Sequence, residues 1–320
     1  MKNILTHLII YFSILLVWFP TSRMWVSADE RAAVNRTDPS RNNGIQELEN
    51  PDADDDSPEA LADIWIDKDR TKLGEYKIER ACLGSEHLGH CSLSIFLKGR
   101  QIRTFENDSA NKIWLKYGFF NFLGGENKQL VVFTYSGGAH CCYGYTIFDL
   151  TPKFTVLYDT TKSDSADADD VGNELVPVDI DQDGVYEFYQ DVMAFDYDAP
   201  GGHSTSTFPP AIFAFDKSSH KFVPANKRFP EFVLNRLRKN LADLKPWAED
   251  SAKRGTVIPL EELDEISVRE KFLYMVYAGQ KDQAWKYFND NYRFEFREKF
   301  RHDFLDAFQH DPTYLSIYGQ

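Results

Sequence analysis

At 320 residues the chain is about two domains long at the usual ~150 residues per domain, and its 42% hydrophobic, 15% aromatic composition can fill a core. A wholly disordered protein is thereby excluded. Its 36 basic and 50 acidic side chains leave a formal charge of −14, the opposite of what tracking a phosphate backbone needs, which argues against general nucleic-acid binding.

Lys2, a largely apolar run from Ile4 to Phe19, Pro20 and then Val26-Ser27-Ala28 form the three parts of a secretory signal, with cleavage expected after Ala28. The apolar run falls short of the ~20 residues that span a bilayer, so no stable membrane span is expected after cleavage. Removing residues 1–28 takes away Lys2 and Arg23 and no acid, leaving 34 basic against 50 acidic groups, or −16. The expected location is periplasmic or secreted. Residues 29–60 follow as a polar, turn-rich leader with the acidic run Asp52, Asp54, Asp55 and Asp56. Such a segment buries too little apolar surface to offset its ordering entropy and is expected to be disordered.

From residue 61 to 228 short β-type runs alternate with turn clusters. Ser92–Leu97 and Gln101–Phe105 flank Lys98-Gly99-Arg100, a hairpin signal; Gln129–Tyr135, Tyr143–Phe148, Phe154–Tyr158, Val185–Tyr189 and Ala211–Phe215 continue the series. Aromatic and β-branched runs at this spacing predict antiparallel sheets. Tyr117, Phe119, Phe120 and Phe122 are read as core, with a sugar-binding face as the alternative. From residue 229 to 320 the apolar period lengthens toward 3.6. The stretch from Glu231 to Leu241 shows a helical face, and Arg269–Tyr277, Lys281–Tyr292 and Glu295–Phe308 predict three more helices, with Gly279 ending one and Asp282 capping the next. Gly279, Ala284 and Phe288 resemble one helical hairpin of a tetratricopeptide unit. Solenoids need about three such repeats, so a small helical domain packed on the sheets is expected instead. The fold class is therefore α+β: a mainly antiparallel β domain followed by a small α-helical C-terminal domain.

Four cysteines, Cys82, Cys91, Cys141 and Cys142, are an even count for an exported chain and are disulfide candidates. Adjacent cysteines bridge each other with strain. The expected arrangements are therefore one bridge within Cys82/Cys91, or two bridges linking that pair to Cys141 and Cys142. A zinc site recruiting His87, His90 and His140 is the alternative, without the paired CxxC spacing of a zinc ribbon.

Asp179-Ile-Asp181-Gln-Asp183-Gly184-Val185-Tyr-Glu187 places carboxylates at alternate positions in a tight turn, with Gly184 free to take positive φ. The expected ligands are Asp179, Asp181, Asp183, the Val185 carbonyl and Glu187, and the expected ion is calcium, which takes about six to eight oxygens in flexible geometry. An EF-hand is excluded. Its twelfth position needs a bidentate Glu and holds Gln190, and the residues after the loop alternate like a strand. The second acidic cluster, Asp164, Asp167, Asp169 and Asp170, lacks that glycine and alternation and reads as a solvated loop.

A DxDxDGxxE loop leading into a strand resembles the calcium loop of integrin-α-type FG-GAP and VCBS repeats. Tyr135-Ser-Gly-Gly-Ala-His-Cys-Cys and Pro209-Pro210-Ala-Ile-Phe-Ala-Phe-Asp are similar to segments of exported bacterial proteins of uncharacterised function that also carry such a loop. The likeness covers roughly residues 80 to 225 and implies blade-like β-sheets; a propeller needs about four or more blades, so a partial one is expected. It implies no catalytic activity.

Ser136, His140, Cys141 and Cys142, with His203 in Gly201-Gly202-His203-Ser204 as a second imidazole, offer the alternative of an envelope hydrolase or metalloenzyme. No GxSxG or HExxH surrounds them, and thiols in an oxidising compartment are more readily bridged than nucleophilic. An inhibitor of a cell-wall lytic enzyme is a third reading. Asn35 and Asn107 open glycosylation acceptor triplets. The expected partner is an envelope protein or cell-surface ligand.

Overall fold

A computed structural model describes residues 61, 64–66, 68–83, 90–106, 114–135, 143–160, 171–196 and 202–319. The expected signal peptide and leader lie outside them. So do His87, Asn107, the Ser136–Cys142 segment and the Asp164–Asp170 cluster.

Among the described residues twelve strands form three four-stranded sheets. The first holds β1 (Arg70–Leu73), β2 (Tyr76–Leu83), β3 (His90–Leu97) and β4 (Arg100–Glu106). The second holds β5 (Trp114–Phe120), β6 (Gln129–Tyr135), β7 (Tyr143–Asp149) and β8 (Thr155–Asp159). In the third are β9 (Val171–Val178), β10 (Glu187–Val192), β11 (Pro210–Asp216) and β12 (Lys221–Pro224). Each sheet is an antiparallel meander in which every strand pairs with its neighbour in sequence. Between β3 and β4 the turn is Lys98-Gly99, with φ of 53° and 81°, the two left-handed residues that a two-residue hairpin of matching twist requires.

Burial explains the sequence pattern strand by strand. On β6, Leu130 and Val132 join Tyr117 of β5 in facing the first sheet, where Ile78, Leu93 and Ile95 complete a cluster. Val131 and Phe133 point the other way, into a larger cluster with Phe122, Phe188, Phe213 and Phe222. The middle sheet is therefore covered on both faces, and β6 reads as continuous apolar residues. Of the four aromatics expected in the core, Tyr117 and Phe122 are fully buried, while Phe119 and Phe120 are half-buried and pack against the two clusters.

Five helices follow: α1 (Pro230–Lys253), α2 (Leu260–Tyr277), α3 (Lys281–Asn291), α4 (Arg297–His310) and α5 (Pro312–Tyr318). The mixed α+β class expected from sequence is present, with these helices C-terminal to the sheets. Pro230 opens α1 where a missing N–H costs nothing. Gly279, at φ 82°, ends the second helical segment as expected, but the cap residue of α3 is Gln280 and Asp282 lies inside its first turn. Phe272, Phe288, Phe300 and Phe304 pack ring against ring within the helices, and these helices share one apolar cluster with the third sheet. Asn226, fully buried, ties the two together: its Nδ2 donates to the carbonyls of Pro210 (2.7 Å) and Tyr277 (3.3 Å), and its Oδ1 accepts from the Ile212 N–H (2.7 Å). Among the described residues no helix is long and apolar enough to cross a membrane.

Candidate metal centre

The loop between β9 and β10 begins at Asp179 and ends where Glu187 pairs with Val178 across the hairpin base. Its shape is set by its own carboxylates. Asp179 accepts the N–H of Asp183 on Oδ1 (3.1 Å) and that of Gly184 on Oδ2 (3.0 Å), and Asp183 Oδ1 accepts the Val185 N–H at 2.8 Å. Glu187 Oε2 accepts the Ile180 N–H at 3.1 Å, closing the loop at its base. Two residues take left-handed backbone: Gly184 at φ 81°, as expected, and Gln182 at φ 59°.

Neighbouring elements hold this loop from two sides. Tyr186 donates its N–H to the Phe122 carbonyl (2.7 Å) and sets its ring edge-on to Phe120 at 5.1 Å. Gly124, in the β5–β6 turn, comes so close that a Cβ there would lie 2.8 Å from the Gly184 oxygen. On the other side Arg228 Nη2 lies 3.3 Å from Asp181 Oδ2, an exposed pair that contributes about 0–1 kcal/mol.

Asp179, Asp181 and Glu187 each place a carboxylate oxygen within 4.8 Å of the other two. Asp183 is outside this converging set, and its Oδ1 accepts the Val185 N–H. Burial is the main reason that the Glu187 carboxyl is pushed up to about 7; Asp181 adds to the effect, while the Ile180 N–H and Arg228 oppose it. At 3% exposure Glu187 is nearly withdrawn from water, so its negative charge is costly unless compensated. The donor set is all oxygen, without imidazole or thiolate, which fits a hard cation such as calcium or magnesium and not a zinc site. Gln190, at the position an EF-hand reserves for Glu, is fully buried on β10 and accepts the Tyr158 hydroxyl at 2.7 Å.

Cys82 and Cys91 face each other on β2 and β3 and form a disulfide, with Cα atoms 4.1 Å apart. Cys141, Cys142 and His140 lie outside the described residues, in the connection from β6 to β7, whose flanking Tyr135 and Tyr143 stack at 4.8 Å. His203 is described: its Nδ1 lies 2.9 Å from both Asp196 oxygens. Sequence reasoning named His203 without Asp196, and it named neither Arg228 nor its pairing to Asp181. No periodic or motif signal marks either partner.

Compared with known proteins, the chain matches no family model, and neither a curated sequence nor a solved structure shows significant similarity to it.

Proposed function

We propose that this chain is an exported, non-enzymatic, calcium-binding β-rich module that binds an envelope protein or cell-surface ligand. The observation behind the reading is the convergence of Asp179, Asp181 and Glu187 oxygens within 4.8 Å at the mouth of a strand hairpin. Three carboxylates that close repel one another, and one of them is nearly buried, so a divalent cation relieves both penalties at once. The resemblance to FG-GAP and VCBS loops favours calcium over magnesium and a blade-like role for the sheets. Three consecutive four-stranded meanders support that comparison, although the described sheets close no propeller. Export rests on the N-terminal signal pattern alone.

With the loop pinned between the β5–β6 turn and the approach to α1, the ion acts as a rigidifying strut. Calorimetric titration of chelator-treated protein with calcium is expected to show one site with Kd on the order of 10⁻⁴–10⁻³ M. At about tenfold excess over Kd, binding adds about 1.4 kcal/mol of stability, read as a rise in Tm. Asp181→Ala and Glu187→Gln should each remove the heat and the Tm rise. A folded wild-type protein that shows neither with millimolar calcium would overturn the reading.

A further inference from the structure

The connection from α1 to α2 carries an exposed apolar tip. Val257 and Leu260 are 78% and 80% exposed, whereas no other large apolar side chain among the described residues exceeds 47%. Backbone bonds hold the tip on both sides: the Thr256 N–H donates to the Ser251 carbonyl at 2.9 Å, and the Pro259 carbonyl accepts the Leu263 N–H at 3.1 Å where α2 begins. Its order is set before any partner arrives, which lowers the cost of binding. Around it stand Glu249, Asp250, Glu261, Glu262 and Asp264 against Lys253 and Arg254, a local charge of −3. That collar is repelled by an anionic lipid surface and suits a basic rim.

A cleft of about 620 Å³ at the other end of α2 has the matching character, and its size lies within the ~300–1,000 Å³ of ligand pockets. Leu305, Phe308, Tyr314 and Leu315 give it an apolar lining, Lys281 and His310 stand beside them, and none of its lining residues is acidic. Lys281 Nζ lies 5.4 Å and 5.3 Å from the ring centroids of Tyr314 and Tyr318. Among the described residues it has no ion-pair partner, and neither have Glu261 and Glu262. The 18 residues of α2 put ~27 Å of helix between the tip at its start and Lys281 just past its end, so the tip and the cleft of one chain do not meet.

We propose that the tip docks in this cleft on a second copy of the chain: Val257 and Leu260 enter between Leu305, Phe308 and Leu315, and Glu261 and Glu262 meet Lys281. Each copy offers one tip and receives another, so the same contact builds a closed ring of two or more copies or an open chain of them. The surface it covers is small, which makes the association weak and dependent on concentration.

Sedimentation equilibrium of residues 29–320, the chain after its expected signal, tests this from about 10 μM to about 1 mM, the range in which so small an interface operates. The weight-average mass of the wild type is expected to rise to that of two chains or more. Val257→Ser with Leu260→Ser, both at exposed positions, should hold it at one chain, as should Leu305→Glu on the cleft side. An equimolar mixture of these two variants retains one intact tip and one intact cleft, so its mass should rise again and stop at two chains. Should Leu305→Glu not fold, Lys281→Glu takes its place. A wild type that stays monomeric overturns the proposal, and so does association that survives in either variant. A mixture that stays monomeric overturns it too, as the mark of a tip-to-tip contact. Flotation with phosphatidylcholine vesicles covers the remaining occupant: binding by the wild type that the tip variant loses would assign the tip to lipid and overturn the docking on a second copy.

Discussion

Gln182 carries a Cβ through a backbone conformation, φ 59°, that Gly184 adopts at 81° without one. Left-handed backbone costs an L-residue roughly 1 kcal/mol, so Gln182→Gly is expected to stabilise the metal-free protein by about 0.5–1 kcal/mol. Gly184→Ala should cost a similar amount from backbone alone, since no atom lies within 4 Å of the added Cβ. Gly124→Ala should cost more than Gly184→Ala, because its Cβ meets the Gly184 carbonyl as well as a φ of 70°. Urea denaturation of the three variants would rank them. At this scale much of the candidate site was legible: alternate carboxylates around a glycine brought Asp179, Asp181 and Glu187 together. Asp183 fits the same spacing but lies outside the converging set, and spacing alone does not tell which way a short acid in a tight turn points. Arg228 was invisible because its partner is 47 residues away.

Among elements, the strands rich in alternating aromatic and β-branched residues were read in place: β3, β4, β6, β7, β8 and β11. β10 starts later than its alternation suggests, at Glu187, because the Tyr186 amide is committed to the Phe122 carbonyl and not to the ladder. β9 escaped because Gly172 and Pro177 sit inside it, and Pro177 pairs with Phe188 in spite of its missing donor. α1 runs through Pro246 to Lys253, beyond the periodic stretch that revealed it. The cysteine count left the pairing open, whereas β2–β3 register sets Cys82 opposite Cys91. That bridge closes a short loop, so Cys82→Ser with Cys91→Ser is expected to cost about 2–3 kcal/mol, measured by urea denaturation of the double variant. A cost near zero would mean that the hairpin holds its register without the bond.

At the scale of the molecule, the succession of sheets and then helices was readable from the change of apolar period near residue 229, but what ties them together was not. Asn226 makes that tie, and a polar residue in a turn gives no sequence hint of burial. Asn226→Ala leaves the Ile212 amide and the Pro210 and Tyr277 carbonyls without this partner inside the core. The expected loss is about 3 kcal/mol in the same denaturation measurement. The nearest-neighbour pairing of all twelve strands has a consequence for how the chain assembles. Ladders built only from adjacent segments need short loop closures, so each meander can form without waiting for distant sequence. The outer face of the third sheet is the exception, for its cover is supplied by the last ninety-odd residues (229–320). On a ribosome that face emerges before its cover does, which makes Tyr189 and its surroundings the surface most exposed to wrong partners during synthesis.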